Sequence, residues 1–327
     1  MWDTEVADLL EVLNSGFPLV QDMSGAEARA AVAARRVPAT NLDDVRGTED
    51  IQIPAAHGPV RARVYQPHHR DDEGDGSVEH RPVVVFFHGG GFVFCDLDTH
   101  DGFCRAMARG TGAIVVSVDY RLAPEHRAPA AAEDALAATV WVLEHASELG
   151  GDPTRVVTMG DSAGGNLAAV ACLMARDADL PLPAGQVLVY PVIDPACDSA
   201  SARRYPSGYF NTVAAMKWYW QQYLPEDGVV PQPTSHVAPL TSDNLSGLPP
   251  AIVITAGLDP LSSDGKDYAV ALRRSGVPVL HRDYAGLFHG FLTILPLRAA
   301  QSARAVLWHD LTDLLSAAVS DNEGTIA

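Results

Sequence analysis

Apolar residues recur at helical spacing near the start of the chain, ahead of the first pattern typical of a strand. The positions at i, i+3, i+4 and i+7 that predict one face of an amphipathic helix are Val6, Leu9, Leu10 and Leu13. Residues 24–27 (SGAE) have the spacing of a capping box, which predicts a second helix reaching about Arg36. We therefore expect two N-terminal helices that are not needed to build the sheet.

Strand patterns follow from about residue 46. Residues 51–53 and 60–65 alternate between apolar and polar side chains, which predicts an antiparallel pair with one face in water. An alternating segment at 279–284 predicts a last strand. Between them lie short, β-branched and nearly apolar runs, as expected for parallel strands buried on both faces; they cover residues 83–87, 113–118, 155–159, 187–190 and 251–255.

Helical patterns separate these strands. They cover about residues 98–109, 130–149, 163–176, 264–275 and 297–318. Regular alternation of strand and helix predicts right-handed crossovers and an open, doubly wound, mostly parallel sheet, here of eight strands. We predict one catalytic α/β domain over residues 46–327, preceded by helices within residues 1–45. The charged residues 68–81 are predicted to form an exposed loop.

Composition narrows the possible partners. The formal net charge of −18 over 327 residues argues against binding to nucleic acid and against stable association with an anionic membrane. The acidic start lacks the basic and apolar regions of a secretory signal, and no apolar run approaches the length of a membrane span. The four cysteines show no C-x-x-C spacing. We expect a cytoplasmic protein with reduced thiols and no metal site.

The first motif with chemical content is at residues 160–164 (GDSAG), between a predicted strand and a predicted helix. Active sites of open parallel sheets lie at the carboxyl ends of the strands. In this context the motif predicts a nucleophile elbow, with Ser162 exposed at the helix N-terminus and glycines that avoid collisions in the tight turn. Ser162 is therefore the predicted nucleophile.

The second motif is residues 88–91 (HGGG), directly after the strand at 83–87. Three consecutive glycines leave backbone N–H groups open to an oxyanion, which these groups and the N–H of Ala163 would stabilise. A plain glycine-rich turn is the alternative interpretation. A phosphate-binding loop is disfavoured, because no G-K-[ST] follows.

Two further residues complete a predicted catalytic triad. Asp259 follows the strand at 251–255, and His289 lies in a glycine-flanked loop after the last strand. The competing side chains fall inside predicted strands or helices; they are His281, His309, Asp264 and Asp267. The order serine, aspartate, histidine is the one that α/β-hydrolases use. His289 would accept the proton of Ser162 and Asp259 would orient the imidazole, without a metal or organic cofactor.

Five motifs together closely resemble those of the hormone-sensitive-lipase-like bacterial esterases. In order along about residues 80–295, they are residues 88–91 (HGGG), 119–125 (DYRLAPE), 160–165 (GDSAGG), 259–261 (DPL) and 289–291 (HGF). The resemblance implies an α/β-hydrolase core with a helical cap. It also implies a carboxylesterase whose small-molecule substrates are short- or medium-chain acyl esters. A homodimer through an exposed sheet edge is a further expectation from the resemblance.

The same resemblance implies individual roles. The oxyanion donors would be the N–H groups of Gly90, Gly91 and Ala163, while His88 and residues 119–121 would support that loop. One departure is Ser263-Asp264, where related sequences commonly carry an acidic pair.

A cap is implied as well, built from the N-terminal helices and an insertion at about residues 200–225. Packing of the N-terminal helices on the back of the core is the alternative. The predicted substrate-binding residues are Phe92, Tyr209, Phe210 and Trp218; ordinary packing of cap on core is the other interpretation of the cap aromatics.

Other activities remain open at this stage. An amidase, a carbamate hydrolase or an acyltransferase would use the same triad, because the chemistry up to the acyl-enzyme is shared. A binding protein derived from this fold is disfavoured, since such proteins typically lose the serine or the histidine and this chain has both.

Overall fold

The computed structural model describes residues 3–68 and 80–323, with side chains as far as residue 316. Most of the predicted loop at residues 68–81 therefore lies outside the described residues. At its edge, His68 Nε2 lies 2.9 Å from the carbonyl oxygen of Asp43.

Eight strands in the described part of the chain form one sheet in the order β1-β2-β4-β3-β5-β6-β7-β8. Their bounds are β1 Gly47–Ile53, β2 Val60–Gln66, β3 Arg81–Phe87, β4 Ile114–Asp119, β5 Gly151–Asp161, β6 Gly185–Val189, β7 Ala251–Leu258 and β8 Val279–Phe288. β2 is antiparallel to β1 and β4, and the remaining pairs are parallel. The predicted antiparallel pair and the predicted mostly parallel sheet are confirmed.

Helices cover both faces of this sheet. The α-helices are α1 Thr4–Gly16, α2 Gly25–Ala33, α3 Asp101–Thr111, α4 Ala130–His145, α5 Ala163–Asp177, α6 Ala200–Arg204, α7 Val213–Tyr223, α8 Ser262–Arg274 and α9 Gln301–Glu323. The 3-10 helices are Val20–Asp22, Leu42–Asp44, Ala146–Leu149, Thr234–His236, Pro239–Thr241 and Arg298–Ala300. None of the described helices is both long enough and apolar enough to cross a bilayer.

The boundaries of several elements differ from the sequence prediction, α2 and β8 among them. The capping box at Ser24 and Glu27 forms as expected, but α2 ends at Ala33 rather than near Arg36. Beyond Ala33 the N–H groups of Arg35 and Arg36 donate to the carbonyls of Val32 and Ala33, three residues back, so the last turn has tightened from α-helical to 3-10-type hydrogen bonds. β8 is longer than predicted and continues to Phe288, directly before His289.

Two buried apolar clusters lie on opposite faces of the sheet. Neighbouring residues of β3 alternate between them: Val83, Val85 and Phe87 belong to one cluster, and Val84 and Phe86 belong to the other. This alternation follows from the two-residue period of a strand, and it explains why central strands are apolar throughout.

Residues 4–33 form the N-terminal segment. The apolar face of its first helix, α1, contacts two different regions of the protein. Val6 and Leu10 are buried in the same cluster as Phe291 and Leu297, and the Glu5 carboxylate accepts hydrogen bonds from the backbone N–H groups of residues 298 and 299 at 3.0 and 2.9 Å. Further along, Leu13 lines a pocket above the carboxyl ends of the strands. The apolar face of α1 therefore packs partly against the core and partly forms the pocket wall.

Leu307 on α9 is fully buried, whereas its neighbour Val306 is 37% exposed. We expect Leu307→Ala to lower the free energy of unfolding by about 2–5 kcal/mol, because it removes buried methyl groups and leaves a cavity. Urea unfolding measures the loss. Val306→Ala is the matched control and should change stability by less than about 0.5 kcal/mol; equal losses in both variants would contradict the packing of α9.

Candidate active site

Ser162 occupies a sharp turn between the end of β5 and the start of α5. Its backbone has φ 58° and ψ −117°, a strained conformation for a residue with a side chain. Two neighbouring segments stabilise the turn: the N–H of Ser162 donates to the carbonyl of Val189 at 2.8 Å, and the N–H of Val192 donates to the carbonyl of Ser162 at 3.1 Å. The predicted strand-to-helix turn is confirmed.

Glycines beside Ser162 allow the backbones to approach closely. A Cβ on Gly164 would collide with the carbonyl oxygen of Phe87 at the end of β3, and a Cβ on Gly160 would collide with the carbonyl of Gly164. Any side chain at either position would therefore push the turn away from β3.

The structure brings the three predicted triad residues together, although they lie far apart in sequence. His289 Nε2 is 2.9 Å from Ser162 Oγ, and His289 Nδ1 is 2.7 Å from Asp259 Oδ2. Asp259 is fully buried, and its other oxygen accepts the N–H of Leu261 at 3.0 Å. An acceptor at Nδ1 favours the tautomer that leaves Nε2 free to take a proton from the serine.

The exposure of Ser162 differs from the prediction. Its side chain lines a pocket, but the residue is only 8% exposed rather than projecting into bulk solvent. Loop and helix segments outside the sheet cover the elbow, a tertiary effect that the local motif does not reveal.

The HGGG loop lies beside Ser162 and is fixed by three hydrogen bonds. The N–H of Gly89 donates to Asp161 Oδ1 at 2.8 Å, Tyr120 Oη donates to the carbonyl of His88 at 2.8 Å, and His88 Nδ1 lies 2.7 Å from the carbonyl of Gly89. Burial lowers the pKa of His88 to about 4, so at neutral pH this imidazole is uncharged and donates from Nδ1.

Gly90 and Gly91 follow with φ of 118° and 59°. Both line the pocket with Ser162. Among the described residues, none accepts a hydrogen bond from the backbone N–H groups of Gly90, Gly91 or Ala163. Since Gly90 and Gly91 line the pocket, their N–H groups are available to a ligand there.

Asp161 connects the elbow to the HGGG loop. Its carboxylate is 5% exposed and lies 3.3 Å from His100 Nε2. Burial alone would raise the pKa of Asp161. The nearby His100 and the hydrogen bond from the Gly89 N–H have a larger, opposite effect, so the pKa of this carboxyl lies below its ordinary value. A buried anion therefore positions the loop.

Residues 119–121 brace the same region, as the sequence motif led us to expect. Besides the Tyr120 contact, the backbone N–H and Nε of Arg121 both donate to the buried carboxylate of Asp134 at 2.9 Å. The bracing residues are linked to α4 through this ion pair.

A family model described as alpha/beta hydrolase fold matches residues 84–293. The chain belongs to this family. It is 43% identical to the carboxylic ester hydrolase LipN of Mycobacterium tuberculosis, covering 86% of this chain and 72% of that protein. It is 38% identical to an ethyl acetate hydrolase of Pseudomonas putida, covering 78% of each. The predicted α/β-hydrolase fold and the resemblance to the hormone-sensitive-lipase-like esterases are confirmed.

Solved structures of esterases have the same fold as this hydrolase. A hyperthermophilic esterase of the archaeon Pyrobaculum calidifontis is 37% identical and superimposes with a TM-score of 0.85, covering 96% of this chain and 98% of that one. A thermostable esterase of Pseudomonas putida is 33% identical with a TM-score of 0.87, over 96% and 98% of the two chains.

The pocket of this hydrolase has a volume of about 230 Å³ and is lined mainly by apolar side chains. Its walls come from the N-terminal segment, the loop after β3 and a segment that we call the 200–223 segment after its residues. Four aromatic side chains contribute: Phe17, Phe94, Phe210 and Tyr219. Only Phe210 was among the predicted substrate-binding residues.

The other three predicted substrate-binding residues do not line the pocket. Phe92 is fully buried and stacks on Tyr223 with ring centroids 3.9 Å apart. Trp218 is 5% exposed and its indole N–H donates to the carbonyl of Met23 at 3.2 Å. Tyr209 packs edge-on against Tyr205 at 5.1 Å. The predicted role of these three residues is without support from the pocket geometry, because aromatic residue type does not show which way a side chain faces.

Helical spacing is a signal in the sequence that could have identified Tyr219 as a pocket-lining residue. Ala215 and Tyr219 both line the pocket and are four residues apart, so they share one face of α7, and Thr212, directly before this helix, lines the pocket as well. Trp218 lies one residue, or about 100°, away from that face. Phe94 lies in an irregular loop, where no such periodicity exists.

The residues that competed for triad roles lie elsewhere. His281 Nε2 contacts Thr255 Oγ1 at 3.0 Å, and His309 is on an exposed face of α9 within 3.5 Å of Asp313. Asp267 is exposed, whereas Asp264 is buried against Ser199.

Ser263 joins α8 to α6. The N–H of Ser201 donates to Ser263 Oγ at 3.0 Å and the N–H of Ser263 donates to Ser201 Oγ at 2.9 Å, so each serine caps the first turn of the other helix. Ser201 Oγ also donates to the carbonyl of Pro260 at 2.7 Å. This pair fixes the chain directly after Asp259.

Gly91→Ala tests the HGGG loop, because a Cβ there would collide with the ring of Tyr219. We expect kcat/KM to fall on the order of 10²-fold through displacement of the predicted oxyanion donor. Gly276→Ala is the matched control: its φ is also positive, at 83°, but nothing lies within 4 Å of its Cβ position. Gly276→Ala should lose about 1–2 kcal/mol of stability through its positive φ alone, and Gly91→Ala should lose more because of the collision with Tyr219. Full activity in Gly91→Ala would contradict the geometry.

Asp264 makes a pH-dependent contribution to stability. Burial raises its pKa to about 7, above the value of about 3.9 usual in an unfolded chain. Between these values the folded state retains a proton that the unfolded state releases, so stability falls as pH rises from about 4 to 7. Asparagine has no carboxyl group to titrate, so Asp264→Asn removes this pH-dependent loss of stability. The variant should gain stability relative to the parent on going from pH 5 to pH 8 in urea unfolding, whereas exposed Asp267→Asn should not. A pH-independent difference for Asp264→Asn would contradict the prediction.

Proposed function

We propose that this α/β-hydrolase is a serine carboxylesterase in which Ser162 is the nucleophile, His289 the general base and Asp259 the residue that orients the imidazole. The observation that carries the proposal is the hydrogen-bonded series from Ser162 Oγ through His289 to Asp259, at 2.9 and 2.7 Å, within an apolar pocket. Relatives named as ester hydrolases or esterases are 38–44% identical over most of the chain, so the protein is an ester-hydrolysing enzyme.

The proposed reaction proceeds through an acyl-enzyme. Ser162 Oγ attacks the ester carbonyl carbon while its proton passes to His289 Nε2, and Asp259 stabilises the imidazolium that forms. The tetrahedral intermediate collapses as the C–O bond to the alcohol breaks, and His289 returns the proton to the leaving oxygen. Water then attacks the acyl-enzyme by the same steps and releases the acid. These steps need no metal or organic cofactor.

We propose the N–H groups of Gly90, Gly91 and Ala163 as the oxyanion hole. Supporting this role, the two glycines share the pocket with Ser162, and no described residue accepts from any of the three donors. The loop is preorganised by Asp161 and Tyr120, so little reorganisation is needed when charge develops. One such donor is worth about 3–4 kcal/mol of transition-state stabilisation.

Residues 1–45 and the insertion at about 200–225 are proposed to form a cap on the catalytic domain of residues 46–327. Pocket-lining residues from both regions support this division, among them Phe17 and Tyr219. A wall of aromatic and aliphatic side chains excludes water and suits the short- to medium-chain acyl groups that we propose as substrates.

Two further proposals concern the location of the protein in the cell and its oligomeric state. A cytoplasmic location is supported by the cysteines, all four of which are free and three of which are buried. A homodimer through a sheet edge is supported by β8, the last strand of the sheet order.

Ser162→Ala is the decisive substitution. We expect kcat to fall on the order of 10⁴–10⁶-fold, because the nucleophile is lost while the rest of the site remains. An organophosphate should label Ser162 alone, as peptide mass spectrometry would show. Ser302→Ala, which changes an exposed serine on α9, should leave labelling and turnover as in the parent.

The rates should be measured on a panel of activated esters, amides and carbamates. The proposal expects the ester rates to exceed the others. A Ser162→Ala variant that retains a tenth of the parental rate, or labelling at another serine, would overturn the assignment. Binding of the panel without turnover would instead identify a binding protein.

A further inference from the structure

Asn14 joins two pocket walls that lie almost 200 residues apart in the sequence. Its Nδ2 donates to the carbonyl of Gly208 at 2.8 Å, and its Oδ1 accepts the N–H of Phe210 at 2.9 Å. The amide thus uses its donor and its acceptor on the backbone of one short turn. A carboxamide carries both groups at this spacing, whereas a carboxylate supplies only acceptors. Asn14 itself lines the pocket.

The backbone that Asn14 contacts is strained. Phe210 has φ 70°, in the left-handed region that bulky residues rarely adopt. Such a conformation persists only where neighbouring contacts determine it. The two hydrogen bonds from Asn14 flank Phe210 and are contacts of this kind.

The strained backbone directs the Phe210 ring toward the catalytic residues. The ring packs edge-on against Phe17 at 5.1 Å and against Phe288 at 6.3 Å. It also approaches within 3.6 Å of the position that a Cβ would occupy on Gly290, the residue after His289. Phe210 therefore forms a part of the pocket wall beside the loop that carries the proposed general base, His289.

We propose that Asn14 is a specificity-determining residue, which sets the preference among acyl lengths by fixing the Phe210 ring as a pocket wall. The proposal rests on the proposed esterase function. Without the amide, the turn at residues 208–210 can relax its strained φ, and the ring moves from its position beside Gly290. A long acyl chain then loses apolar contact that an acetyl group is too short to make.

The test compares acetyl and hexanoyl esters of one chromogenic alcohol. Asn14→Leu retains the size of the side chain but removes both hydrogen bonds. We expect the ratio of kcat/KM for the hexanoyl ester to kcat/KM for the acetyl ester to fall on the order of tenfold, because the longer chain would lose the burial of about two methylene groups. Asn14→Asp retains the acceptor for the Phe210 N–H and should give a smaller fall. Phe210→Ala should lower the same ratio, and adding Asn14→Leu to it should cause no further fall, because the two act through one wall.

Ser15→Ala is the matched control, since Ser15 Oγ bonds only to carbonyls of its own helix, those of Glu11 and Val12. It should retain the parental ratio. An unchanged ratio in Asn14→Leu, an equal loss on both esters, or additive effects with Phe210→Ala would overturn the proposal. Failure of the proposed function would appear in the parent protein, as absent turnover and absent labelling of Ser162. Failure of this inference would appear only in the ratio.

Discussion

The close approach of backbone among β3, β5 and α5 is the constraint on which the candidate site depends. Gly164 allows the first turn of α5 to touch the carbonyl of Phe87, where β3 ends and the HGGG loop begins. The same approach places the Ser162 turn against the donors of Gly90 and Gly91. The proposed nucleophile and the proposed oxyanion hole are therefore parts of one packing arrangement, and a single methyl group at Gly164 would separate them.

Buried carboxylates give this arrangement its rigidity. Asp259 accepts from His289 and from the N–H of Leu261, while Asp161 accepts from the N–H of Gly89 beside His100. An ionised carboxylate is stable in the interior only when such donors replace its water. Each one consequently fixes a loop, and the low local dielectric strengthens the interaction of each with the site. Asp264 shows the opposite case: with fewer donors, its pKa is raised to about 7.

The pocket walls and the proposed catalytic residues below them are positioned by different kinds of structure. The proposed catalytic residues lie at strand ends, where regular hydrogen bonding determines their positions. The walls come from the N-terminal segment and the 200–223 segment, which meet each other through side chains such as Asn14 and Phe210. Specificity can therefore vary through wall residues without disturbing the sheet, whereas changes at Gly164 or Asp259 affect the reaction itself.

The sequence alone determined the features that depend on local backbone chemistry. Apolar β-branched runs and two-residue alternation predicted the strands, and helical periods predicted the helices. The glycines around Ser162 and at residues 89–91 predicted the two turns, since only glycine tolerates such approaches. The order of Ser162, Asp259 and His289, and the glycine-flanked loop of His289 after the last strand, predicted that the three meet, and the structure brings them within hydrogen-bond distance. Tertiary structure decided which aromatic side chains face the pocket: Phe210 and Tyr219 do, whereas Phe92 and Trp218 pack inward. It also decided the partner of Ser263 on α6 and the contact between Asn14 and the 208–210 turn. The physical reason is that side-chain direction in loops and short helices depends on packing between segments distant in sequence, which no local period records.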